Sequence, residues 1–145
     1  MNKADFHRQK IEQVVSTHTY VHQRLAAEKV HLQFAQGHRA VILTAEMQSG
    51  KSGIALALAC KQRLSLDDQS ICERAQLKDT LFLVTMADVA LQEQASEDLS
   101  GCPNVVVSNL VHFRTALLQH FKGNPPKLLI IDECHYGSAS DAVRY

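Results

Sequence analysis

Apolar residues recur at two different periods along the chain, and the change of period divides it. From Ala4 to about Phe34 the apolar positions Ile11, Val14, Val21, Leu25 and Leu32 return at helical spacing, with Ser16-Thr17 as a break. This predicts a helical preamble of one or two segments over residues 1–36. Gly37 stops it, and Ala40-Val41-Ile42-Leu43-Thr44 is an almost unbroken apolar run of the kind buried in a parallel sheet. Beyond it the pattern alternates: a helix from Ser52 to about Leu64, a polar loop containing Asp67-Asp68, a strand at Leu81-Phe82-Leu83-Val84-Thr85, and a helix from about Asp88 to Leu99. Gly101 and Pro103 then precede a strand at Val105-Val106-Val107, a helix from Leu110 to Phe121, the breaker Gly123-Asn124-Pro125-Pro126 and a last strand at Leu128-Leu129-Ile130-Ile131. Strand and helix in strict alternation over residues 37–145 predict an α/β fold, with a parallel sheet, right-handed crossovers and helices on both faces.

Composition narrows the picture without changing it. With 145 residues, 46% of them apolar, the chain has enough material for one core built without disulfides or metals. Lysine plus arginine equals aspartate plus glutamate at 15 each, so the chain as a whole lacks a basic footprint and any nucleic-acid contact must be local. Cys60, Cys72, Cys102 and Cys134 are widely spaced and form no C-x-x-C pair, which favours reduced thiols over a zinc or redox site. No apolar run approaches the roughly 18 residues that span a bilayer, and Met1-Asn2-Lys3-Ala4-Asp5 does not read as a signal peptide. A soluble, cytoplasmic protein without membrane contact is expected.

Two motifs carry chemistry. Ala45-Glu46-Met47-Gln48-Ser49-Gly50-Lys51-Ser52 fits the Walker A pattern with alanine in the place of the first glycine, between an expected strand and an expected helix. A loop wrapped over a helix amino end aims backbone N–H groups and the positive end of the helix dipole at a phosphate. Gly50 lets the backbone approach, Lys51 can reach the β and γ phosphates, and the Ser52 hydroxyl is placed to ligate Mg²⁺. Leu128-Leu129-Ile130-Ile131-Asp132-Glu133-Cys134-His135 ends four apolar residues in two carboxylates, at the end of a strand where open parallel sheets bind ligands. Asp132 would hold Mg²⁺ through its water shell, and Glu133 would orient or deprotonate the water attacking the γ phosphate. Alone, the first motif could be a plain strand-to-helix turn and either carboxylate an ordinary surface acid; together they form a joint signal for ATP and Mg²⁺ as cofactors.

Other residues take blander readings. His18 and His22 lack a third ligand and read as solvated helix-face histidines. Cys134 is a small filler, Leu56 and Leu58 with their alanine neighbours are core packing, and Asp67-Asp68 and Glu97-Asp98 are solvated acids. Lys122 and Lys127 could touch a phosphate backbone, but surface lysines near a turn usually do nothing specific.

Asp132-Glu133-Cys134-His135 reads as a DExH box and, with the Walker A loop, resembles superfamily-two helicases and translocases, including the motor subunits of restriction enzymes. The resemblance covers roughly residues 40–140. It implies a RecA-like P-loop NTPase lobe in which Lys51 and Glu133 are catalytic and His135 couples nucleotide state to a later motif. Leu91-Gln92-Glu93-Gln94 resembles motif Ia, and Ser108 with Leu110 resembles motif Ib. Through these, Thr85, Gln94 and Ser108 become the expected nucleic-acid contacts, with DNA favoured over RNA. Gln48 stands where many members have glycine and Thr85 where motif Ia has proline. Arg8-Gln9 and Gln23-Arg24 are the candidates for adenine reading. The chain ends at Tyr145, before motif III and before the second RecA-like domain that supplies the arginine finger. The lobe is therefore expected to be incomplete, hydrolysing ATP in a full-length context and inactive by itself. A P-loop enzyme of another class, such as a kinase, is the alternative, although only Arg144 follows the acidic box where a lid would need arginines; an inactive truncated fragment is the third reading.

Overall fold

The computed structural model describes residues 2–44, 51–85, 89–122 and 124–132. The chain divides into two compact units, Met1–Leu77 with Asp98–Pro103, and Lys78–Glu97 with Asn104–Tyr145.

The first unit is helical: α1 (Lys3–His18), α2 (Val21–Ala35), α3 (Lys51–Leu64) and α4 (Asp68–Glu73). Asn2 starts α1 by accepting the Asp5 N–H on its side-chain oxygen at 2.8 Å, the usual way to satisfy an orphan donor of the first turn. The break between the preamble helices falls at Thr19 and Tyr20, both extended, rather than at Ser16-Thr17. The corner is held from inside: the Arg24 guanidinium donates to the Thr19 carbonyl at 2.8 Å, and the Tyr20 N–H donates to Gln23 Oε1 at 2.8 Å. Helix α3 packs against α1 and α2, and its whole run Ile54–Cys60 is buried, as befits a helix apolar on every side. Arg63 is buried too, its guanidinium donating to the Arg74 carbonyl at 2.8 Å. On α2 the buried residues are Gln23, Ala27 and Val30. Val21, Leu25 and Leu32, which mark the helical period, are instead 61%, 59% and 49% exposed.

Helix α4 occupies the stretch expected to be a polar loop. Asp67 caps it, accepting the Ser70 N–H at 2.7 Å, and Asp68 pairs with Arg8 of α1, whose guanidinium also donates to the Leu66 carbonyl at 2.9 Å. The two acids thus have structural partners at the surface.

The second unit holds a three-stranded parallel sheet of β1 (Thr80–Val84), β2 (Val105–Asn109) and β3 (Leu128–Asp132), in the order β2-β1-β3. Helix α5 (Val89–Asp98) follows β1; a 3-10 turn (Leu110–His112) and α6 (Phe113–His120) follow β2. The strand entrances are knitted together: the Asn104 carbonyl accepts from the Asp79 and Thr80 N–H groups at 3.0 and 3.2 Å, and the Asp79 carbonyl accepts from Lys127 at 2.8 Å. Central β1 is buried along its whole length. On one face Leu81, Leu83 and Val106 form a core cluster with Ala116 and Phe121, packed on by Phe113 and Leu117 of α6. Register puts Leu129 and Ile131 of β3 on that same face, yet they are 44% and 42% exposed.

Ala40–Thr44 corrects the expectation of a buried strand: the run has no strand structure, and Ile42 is 83% exposed. A parallel strand is buried only where a neighbouring backbone takes up its N–H and C=O groups, and no described strand pairs with this segment.

Candidate functional site

Of the phosphate-loop motif, Lys51 and Ser52 are described and open α3, both half-buried in the helical unit. Ala45, Glu46, Met47, Gln48, Ser49 and Gly50 lie outside the described residues. The first turn of α3 is closely covered from α2: a Cβ at Gly53 would run into the Gln23 side-chain amide. Gln23 is 5% exposed and already holds the start of α2, so it has little room to move. Gly53 is therefore required by close approach, a role that the motif pattern ending at Ser52 does not signal.

Asp132 is the last residue of β3 and lies level with Val84, the last of β1, which in turn lies level with Asn109, the last of β2. The sheet thus ends in one row, half-buried at Asp132 and Asn109, at the side where parallel α/β sheets take their ligands. Glu133, Cys134 and His135 lie outside the described residues. Lys51 and Ser52 belong to one unit and Asp132 to the other.

Of the expected nucleic-acid contacts, Thr85 directly follows β1 and its hydroxyl is shielded from solvent with no hydrogen-bond partner among the described residues. Gln94 is exposed on α5. Ser108 is 6% exposed and shares a face with Leu83, its hydroxyl donating to the Asn109 carbonyl at 3.3 Å. The groups that link the two segments are its neighbours: Asn109 Nδ2 donates to Gln92 Oε1 at 3.1 Å. Sequence reading gave neither a role: Gln92 fills an unspecified position of the Leu91-Gln92-Glu93-Gln94 stretch, Asn109 stands between Ser108 and Leu110, and a bond across 17 residues leaves no local pattern.

The remaining candidates take structural places. Arg8 and Arg24 are engaged at Asp68 and at the α1–α2 corner, and Gln9 is exposed. His18 closes α1 and His22 lies in α2, where it stacks on Tyr20 with ring centroids 6.0 Å apart, so the two histidines do not share a helix. No group of three or more His, Cys, Asp or Glu among the described residues is placed to hold a metal ion. The hydrogen bond with the Cys102 thiol, reinforced by burial, pushes the Cys60 thiol far above its ordinary range, which leaves it protonated and a poor nucleophile. Among the described residues no helix is long and apolar enough to cross a membrane.

Comparison with known proteins brings no match: no family model, no curated protein and no solved structure is similar to this chain.

Proposed function

We propose that the chain is the ATP-binding and hydrolysing lobe of a nucleic-acid-dependent helicase or translocase, with a RecA-like P-loop fold and with ATP and Mg²⁺ as cofactors. The observation that supports this reading concerns the described residues of the two motifs. Lys51 and Ser52 begin a long helix, and Asp132 ends a strand at the carboxyl edge of a parallel sheet. In this reading the positive end of α3 favours an anion, Lys51 supplies a charge for the terminal phosphates, and Ser52 and Asp132 each carry an oxygen of the kind that ligates Mg²⁺. Glu133, following Asp132, is the general base assigned to the attacking water, and His135 the coupling residue. DNA is the favoured polymer, and a second RecA-like domain completes the cleft and provides the arginine finger.

Lys51→Ala tests it. Loss of a charge-assisted contact to phosphate should weaken Mg-ATP binding about tenfold to a hundredfold, read by titration with a fluorescent ATP analogue, while circular dichroism is unchanged. A folded variant with wild-type affinity would remove the Walker A assignment.

A further inference from the structure

Two cysteines far apart in the chain meet inside the helical unit. Cys60 lies within α3, in a wholly buried run, and is 1% exposed. Cys102 is 5% exposed and lies between α5 and β2, in the stretch 99–104 that belongs to neither a helix nor a strand. The two thiols are hydrogen-bonded to each other, and because the bond favours the protonated form of Cys60, Cys60 is the donor and the Cys102 sulfur the acceptor. The stretch that carries Cys102 is seated closely on α1: a Cβ at Gly101 would come within 2.9 Å of Val14 Cγ1. The Cys102 N–H donates to the Leu99 carbonyl at 3.1 Å, which closes the turn. Ser100 and Pro103 on either side are exposed, so Cys102 lies just below the surface while Cys60 lies behind it.

We propose that Cys60 and Cys102 are a peroxide-sensitive thiol pair that closes into a disulfide, stapling α3 to the segment between α5 and β2. The sulfurs already touch, so the pair has only to shorten to the roughly 2 Å of a covalent S–S bond, and Cys102, in a turn, is the partner able to shift. Hydrogen peroxide balances the chemistry. The Cys102 sulfur, as thiolate, attacks one peroxide oxygen; the O–O bond breaks, and the departing hydroxide takes up the proton that Cys102 released, leaving a sulfenic acid and water. The Cys60 sulfur then attacks Cys102 Sγ, the S–O bond breaks, and hydroxide leaves as a second water with the proton of Cys60. Oxidation of Cys102 also removes the thiol–thiol hydrogen bond that holds Cys60 protonated, leaving burial opposed by the favourable charge of Arg63.

The test uses the full wild-type chain, treated with hydrogen peroxide, blocked with N-ethylmaleimide and digested without reduction. Mass spectrometry should find the Cys60–Cys102 peptide pair as the main product, with the half-buried Cys72 still alkylated. In urea the same treatment should give a mixture of pairings. The oxidised chain should unfold at a urea midpoint higher by on the order of 1 M, and dithiothreitol should restore the original value. Cys60→Ala should strand Cys102 as a sulfenic acid that dimedone captures, and Cys102→Ser should leave Cys60 unoxidised. If either variant fails to fold, the wild-type map and midpoint decide by themselves. Peroxide that oxidises Cys72 while Cys60 and Cys102 remain alkylatable, the same mixture of pairings with and without urea, or a lowered midpoint after oxidation overturns the proposal.

Discussion

Leu81-Phe82-Leu83-Val84 and Ala40-Val41-Ile42-Leu43 are similar in composition and opposite in fate. All four residues of the first are 5% exposed or less, whereas Ile42 is 83% and Leu43 45% exposed. The difference lies in what flanks them. Strand β1 has β2 on one side and β3 on the other, while no described strand pairs with the second run. Strand β3 falls between, with one strand neighbour among the described residues and with Leu129 and Ile131 at 44% and 42% exposure. An apolar run thus becomes a buried strand through its neighbours, because its backbone N–H and C=O groups must be satisfied before its side chains can leave water.

The largest effect expected from this contrast separates Leu81→Ala from Ile42→Ala. Leu81 is fully enclosed within the α6-covered cluster, so its truncation should cost about 2–5 kcal/mol in urea unfolding. Ile42→Ala should stay within about 0.5 kcal/mol of wild type. Comparable losses at the two sites would show that Ile42 has a partner and would break the comparison. The intermediate strand offers a smaller effect. Replacing Leu129 and Ile131 together by lysine should change unfolding by about 1 kcal/mol or less and reduce self-association in light scattering, since charges on the outer strand of the described sheet discourage pairing with a second chain. A collapse of stability would mean that this face of β3 is covered.

The smallest effect concerns a feature outside the sheet, the cap of α4. The Ser70 backbone and side chain, acting as hydrogen-bond donors, hold the Asp67 carboxyl below the usual aspartate range, with a smaller contribution from the charge of Arg8. Because the folded value is depressed, the contribution to stability is present above the ordinary aspartate value and is lost as pH falls through the folded one. Carboxyl-carbon NMR titration should find Asp67 titrating below a reference aspartate. Asp67→Asn, which keeps a capping acceptor, should flatten the acid limb of the stability profile slightly; an ordinary or raised value at Asp67 would exclude the cap as its cause.

The sequence by itself determined the elements that depend on nearby residues. Helical period and breakers placed α1, α2, α3, α5 and α6 within a few residues of their ends, and the short apolar runs placed β1, β2 and β3. Of the candidate site, Lys51 and Ser52 at the start of a helix and Asp132 at the end of a strand were legible for the same reason: each is fixed by the segment it belongs to. Helix α4 was hidden because its six residues are too few to show a period, leaving only the Asp67 cap as a signal. What the tertiary structure alone decided was partnership. It buried Gln23, Ala27 and Val30 of α2 in place of Val21, Leu25 and Leu32, left Ala40–Thr44 without a strand neighbour among the described residues, and joined Asn109 to Gln92. Caps and helical periods act over about four residues. Burial and pairing arise between residues far apart in the chain, and their free energy depends on which surfaces meet, so a single run of sequence carries no local mark of the outcome.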